Sequence, residues 1–146
     1  MGRLTLPASG FIYADANIVL YTVNRHPIYA PLCDPLWQAA QQGTISAVSS
    51  ELTLLETLIG PFRDSDLAKA EYSADLWNHP GAHLLPITQG ILREAARLRA
   101  TIPGLKTPDA IHAATALLNA CALFVTNDPG FRRISDLPLV LLDDLL

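Results

Sequence analysis

The feature that most constrains this chain is a series of short, unbroken apolar segments, each followed by helix start signals. Four of them read as buried strands, at Phe11–Ala14, about Thr44–Val48, Ala82–Ile87 and Ala122–Val125, and a fifth at Leu139–Leu142 closes the chain. A strand with one wet face alternates apolar and polar residues. These do not alternate, so both of their faces should be covered. Strands of that kind interleaved with helices predict a three-layer α/β domain over residues 1–146, a parallel sheet flanked by helices on both faces. Half of the 146 residues are apolar and 16% are charged, enough for one core, and no linker, repeat or low-complexity segment divides the chain.

Helix boundaries follow from caps and prolines. Ser49 or Ser50 caps a helix whose stripe Leu52, Leu55 and Ile59 should face the sheet and whose stop is Gly60-Pro61. Asp34-Pro35 opens another helix that ends at Gly43, and Ser65 opens one that buries Leu67, Ala70, Ala74 and Trp77. Thr88 caps a helix with Ile91, Ala95, Leu98 and Ile102 inward, and Thr107-Pro108 starts the last, which runs to about Asn119.

Several classes drop out. The longest apolar run, from Ala120, stops at Thr126 and is too short to span a membrane. Met1–Pro7 lacks the apolar stretch of a signal peptide, and Leu6 stands where a myristoylation motif needs Ser or Thr. Cys33 and Cys121 form no disulfide framework and no CxxC pair, so a reducing cytoplasm is the expected location. Pro80 and Gly81 separate His79 from His83 and break the helix that a zinc pair would need. The net charge of −4, from 14 acidic and 10 basic residues, argues against nonspecific nucleic-acid binding by the surface as a whole.

Four carboxylates stand out by position. Asp15 and Asp128 follow the ends of apolar strands, at the edge where open α/β sheets bind ligands, although either could simply cap the next helix. Glu56 shares the stripe expected to face the sheet, where a carboxylate needs a partner, a proton or a cation unless it sits at an edge and reaches solvent. Asp109 lies in the first turn of its helix, where the dipole favours it, with His112, Ala113 and Ala116 as a small face behind it. Four such groups at one edge repel unless an ion joins them, and their oxygens suit Mg²⁺ or Mn²⁺.

At these residues the sequence resembles the PIN-domain family, and within it the VapC-type toxins of toxin-antitoxin pairs. The resemblance runs through Tyr13–Leu20, Ser49–Glu56, Lys106–Ala116 and Phe124–Phe131, in order and over nearly the whole chain, and the ten or so residues before the first strand exceed the family pattern. It implies a metal-dependent endoribonuclease using Mg²⁺ or Mn²⁺, a homodimer, and a cognate antitoxin that silences it. The family's acidic quartet falls on Asp15, Glu56, Asp109 and Asp128, with Asn17 and Thr126 as supporting polar positions. Asp15, Asp109 and Asp128 would ligate the metal directly or through water. Glu56 would either ligate it or orient and deprotonate the attacking water.

Local charge supplies a candidate phosphate track. Arg93, Arg97, Arg99 and Lys106 oppose Glu94 alone, and Arg132 and Arg133 follow Asp128; the same residues also read as a solvated helix face. His112 reads as a packed, hydrogen-bonded histidine in preference to a general base. Among rival classes, a receiver-like regulatory module lacks the adjacent acidic pair at Asp15 and a Lys after Lys106. A dehalogenase-like phosphatase lacks the second acid of Asp15-Ala16-Asn17. Nucleotide-binding loops are absent because the glycines form neither fingerprint. A catalytically silent PIN fold that only binds protein is the remaining alternative.

Overall fold

The computed structural model describes residues 2–146; Met1 lies outside them. Five strands, β1 Phe11–Ala14, β2 Ser46–Ser50, β3 Ala82–Leu85, β4 Leu123–Thr126 and β5 Leu139–Leu141, form one parallel sheet in the order β3-β2-β1-β4-β5. Helices α1 Ala16–Val23, α2 Tyr29–Gln41, α3 Glu51–Arg63, α4 Leu67–Asp75, α5 Gln89–Thr101 and α6 Thr107–Leu118 connect and cover it. No helix among the described residues is long and apolar enough to cross a membrane.

The period-two alternation of β1 divides the core. Tyr13 points to one face with Val48 and Phe124, where Ile91 and Ala95 of α5 and the small residues Ala110, Ala113 and Ala114 of α6 close over them. Ile12 and Ala14 point to the other, against Ile18 of α1 and Leu32, Cys33 and Leu36 of α2. The expected three layers are therefore present. Strand order reverses on either side of β1, and the crevice beside its carboxyl end is the usual ligand position in such sheets. The register pairs Ala14 with Val125, which brings Asp15 alongside Thr126.

Several boundaries differ from the sequence expectation. The second helix begins at Tyr29, ahead of Asp34-Pro35, and Pro35 lies inside it. Its start is capped by an atypical group: the His26 Nδ1 accepts the Ile28 and Tyr29 N–H groups, each at 3.2 Å. Ser65 does not open α4, because it takes a left-handed turn and Asp66 accepts the Lys69 N–H instead; Leu67 is exposed, while Ala70 and Trp77 are buried as expected. The edges of β2, β3 and β5 move by one or two residues, the ordinary uncertainty of strand ends. The long N-terminal segment has a packing role, with Leu4 in the core and the Gly2 N–H donating to the Leu145 carbonyl at 2.6 Å.

The largest correction concerns α3. It continues through Gly60-Pro61 to Arg63, and its inward residues are Thr53, Thr57 and Pro61. Leu55 and Ile59, expected against the sheet, are 58% and 46% exposed, and Phe62 beside them is 60% exposed. Small polar residues serve inward because their hydroxyls find partners in the helix and in the strand before it. Ser49 and Thr53 share a 2.6 Å bond, and the Thr57 hydroxyl donates to the Thr53 carbonyl at 2.8 Å.

Candidate functional site

Asp15 is the first residue after β1 and is 4% exposed. Its Oδ1 accepts the Ile18 N–H at 3.2 Å, so it caps α1, and its Oδ2 accepts the Thr126 hydroxyl from the neighbouring strand. Capping and the site position are thus two functions of one side chain. Burial pushes its carboxyl up to about 6, against the lowering action of the Thr126 hydroxyl, His112 and the Ile18 and Asn17 N–H groups. Asn17 contributes through its backbone, and its side chain is exposed.

Thr126 joins Asp15 to Asp128. While its hydroxyl donates to Asp15, its oxygen accepts the Asp128 N–H at 3.1 Å. Asp128 in turn caps the following turn by accepting the Gly130 N–H at 2.8 Å.

The other two acids come from helices. Asp109 sits in the first turn of α6 and is half-buried. Burial raises its carboxyl, the Asp128 and Glu56 carboxylates raise it further, and His112 and Lys106 oppose them. Asp109 therefore feels the charges of Asp128 and Glu56, residues far from it in sequence. Glu56 lies on α3 with its side chain 28% exposed, between the inward Thr53 and Thr57 and the outward Leu55 and Ile59. Its Oε1 stands 2.5 Å from His112 Nε2.

His112 is 3% exposed and bonded at both ring nitrogens, as a packed histidine should be. Its Nδ1 lies 2.5 Å from the Tyr13 hydroxyl, whose oxygen accepts the Ser50 N–H at 3.1 Å. Tyr13, stacked on Phe124 with centroids 4.8 Å apart, is a member of this network that sequence reasoning missed. The available signal was a polar-tipped residue in a strand whose faces are both covered.

Among the described residues no group of three or more His, Cys, Asp and Glu side chains stands close enough to enclose a metal ion. The basic residues are mostly engaged elsewhere. Arg97 pairs with Glu94, Arg132 forks onto Asp144 at 2.8 and 2.9 Å, and Arg133 donates to the Gly130 and Pro103 carbonyls. Arg99 bonds the Leu105 carbonyl and the Thr107 hydroxyl, so it ties the end of α5 to the start of α6. Gly90, at the start of α5, lies against Leu118 at the end of α6, so the two helices run antiparallel. Arg93, one turn from Gly90, is consequently set beside the end of α6 away from Asp109. Lys106 is exposed, precedes α6 directly and acts on Asp109.

Comparison with curated protein sequences gives no match. Solved structures do match in fold. A VapBC2 structure from Rickettsia felis, bound to a DNA fragment from its promoter, aligns at TM-score 0.71 and 18% identity over 90% of this chain and 98% of that one. FitAcB from Neisseria gonorrhoeae aligns at 0.67 and 16% identity over 92% and 99%. VapBC-1 from nontypeable Haemophilus influenzae aligns at 0.66 and 19% identity over 91% and 98%. The PIN domain family model matches residues 12–137, a span that contains all four acids and the whole parallel sheet apart from one end residue of β1 and the edge strand β5, and the chain belongs to the PIN domain family.

Proposed function

We propose that this chain is an endoribonuclease that hydrolyses RNA phosphodiester bonds with Mg²⁺ or Mn²⁺, and is the toxin of a toxin-antitoxin pair in the cytoplasm. The observation that carries the reading is the linkage of the acid-bearing segments: the Thr126 hydroxyl donates to Asp15 and accepts the Asp128 N–H, and Glu56 meets His112 one turn after Asp109 on α6. Acids from separate segments act on one another there, and a cation relieves the repulsion. The donors are all carboxylate oxygens, which suit a hard divalent ion.

In this reading Asp15, Asp109 and Asp128 hold the ion directly or through water. Glu56 joins them or orients and deprotonates the attacking water. When bound, such an ion supplies a water acidic enough to react at neutral pH and polarises a phosphoryl oxygen. Thr126 fixes the Asp15 carboxylate and the backbone from which Asp128 projects, and the Asn17 N–H adds to the field on Asp15. Lys106 offsets negative charge where the substrate phosphate would approach. Arg97 and Arg132 would complete a phosphate track by exchanging Glu94 and Asp144 for RNA, whereas Arg93, beside the far end of α6, falls outside it.

The solved relatives include toxin-antitoxin assemblies, which supports a cognate antitoxin as partner. The outward stripe Leu55, Ile59 and Phe62 supports a homodimer, since an exposed apolar row on a single helix is the kind of surface a second subunit covers. The deciding experiment incubates the protein with total cellular RNA, with and without EDTA, and maps the cut ends. EDTA-sensitive cleavage that Asp15→Asn abolishes in a folded protein is expected. Cleavage that survives both treatments would leave the catalytically silent, protein-binding PIN fold as the better reading.

A further inference from the structure

We propose that His112 is a positioning residue for Glu56, presenting an Nε2–H to its carboxylate, and that Tyr13 fixes the tautomer that makes this possible. The inference rests on the nuclease reading above for its functional consequence, and on the hydrogen-bond chain alone for its chemistry.

The chain begins at the backbone. Tyr13 is fully buried, and a phenol, whose ordinary value is about 10, keeps its proton at neutral pH. The phenol oxygen accepts the Ser50 N–H at 3.1 Å, the Ser49 hydroxyl beside it is bonded to Thr53, and the short 2.5 Å contact to His112 Nδ1 is the one to which we assign its single proton. A ring nitrogen that accepts carries no hydrogen. The proton of the imidazole is therefore on Nε2, 2.5 Å from Glu56 Oε1, and it is donated there.

The consequences differ from those of a core histidine. Two elements of the sheet layer, β1 and the junction of β2 with α3, are coupled through α6 to one carboxylate on α3. Glu56 is partly exposed, and its Oε2 accepts no hydrogen bond among the described residues. With Oε1 held, Oε2 is the oxygen left for an ion or a water. His112 is not a general base in this arrangement, because the nitrogen that faces the acids already carries its hydrogen and gives it to Glu56. An apolar side chain would fill the same core space without orienting Glu56, which is the difference the test exploits.

The first readout needs neither metal nor RNA. Long-range nitrogen-15 spectra of the metal-free protein at neutral pH report which nitrogen of His112 carries hydrogen. The Nε2–H tautomer is expected in the native protein and a mixture of tautomers in Tyr13→Phe. An Nδ1–H form in the native protein, or an unchanged single tautomer in Tyr13→Phe, overturns the lock.

The second readout is steady-state cleavage of an RNA oligonucleotide carrying a mapped cut site, in Mg²⁺. His112→Leu should lower kcat about 10- to 100-fold, with KM within about twofold. His112→Gln, whose amide nitrogen reaches the Nε2 position, should recover most of that loss. If both variants melt as the native protein does, a native kcat in His112→Leu, or a Gln variant as slow as Leu, overturns the positioning role. Native cleavage by both Asp15→Asn and Glu56→Gln would reject the nuclease reading itself, while the spectra would still judge the Tyr13–His112 lock.

Discussion

The acids at the strand ends and the acids on the helices are the same chemical group held in two different ways. Asp15 is buried at the end of β1, where the chain must turn into α1, and it is aimed by a backbone N–H on one oxygen and a neighbouring strand's hydroxyl on the other. Glu56 sits in mid-helix, part-exposed, and one ring nitrogen holds it. A carboxylate at a strand end inherits its direction from the path of the backbone. One on a helix points where its neighbours allow, so its direction has to be supplied by a separate network.

The sharpest way to break this contrast is to remove charge on each side in turn. Asp15→Asn should reduce RNA cleavage by about a thousandfold or more, measured as initial rates in saturating Mg²⁺. A smaller loss is expected for Glu56→Gln, and equal losses would put both sides on one footing. The pH dependence of stability gives the next effect. Burial holds Asp15 at about 6 in the folded protein against a reference value of 3.8. The folded state therefore binds the proton more tightly, and the stability this contributes is complete below about pH 4 and lost as pH rises through 6. In metal-free protein Asp15→Asn should therefore gain stability relative to the native chain from pH 4 to 7, by about 3 kcal/mol at most. Mg²⁺ should offset that relative gain, and denaturant titrations across that range measure both. A variant that loses stability relative to the native chain as pH rises contradicts the buried-acid account.

Thr126→Val tests the strand side from its support. It removes the donor to Asp15 and the acceptor of the Asp128 N–H, both within the protein interior, and should cost about 1–3 kcal/mol of stability. Calorimetric Mg²⁺ affinity should fall with it, about 10- to 100-fold. The smallest effect on the folded subunit is expected on the far face of α3. Ile59→Glu should change monomer stability by no more than about 0.5 kcal/mol, while sedimentation moves from dimer to monomer. A dimer that survives the change assigns the outward stripe to another partner.

The same helix shows how far sequence reasoning reaches. Its N-cap, Ser50, was readable because capping is a local transaction between a hydroxyl and the Leu52 N–H at 3.1 Å. Its buried face was not, because the rule that apolar residues point inward assumes that the core is where apolar residues are covered. In α5 the rule holds, with Ile91 and Ala95 buried. In α3 it fails, because Thr53 and Thr57 satisfy their own hydroxyls and leave Leu55, Ile59 and Phe62 outside. Glu56 was thus selected for a reason that the structure does not support, yet it faces His112. The start of α2 escaped for a related reason, since a histidine ring acting as the cap has no common sequence signature.

From the amino-acid order alone came the layered α/β class, the five strands, the starts of α3, α5 and α6 and the choice of the four acids as candidates, all read from local patterning, from the chemistry of individual side chains and from the family resemblance. Folding in three dimensions decided the strand order, the outward face of α3, the pairing of Asp15 with Thr126 and the line from Ser50 through Tyr13 and His112 to Glu56. Those features depend on distances between segments separated by tens of residues. Such distances are set by how layers pack and which polar tips meet inside them, and neither quantity is written in the spacing of any one segment.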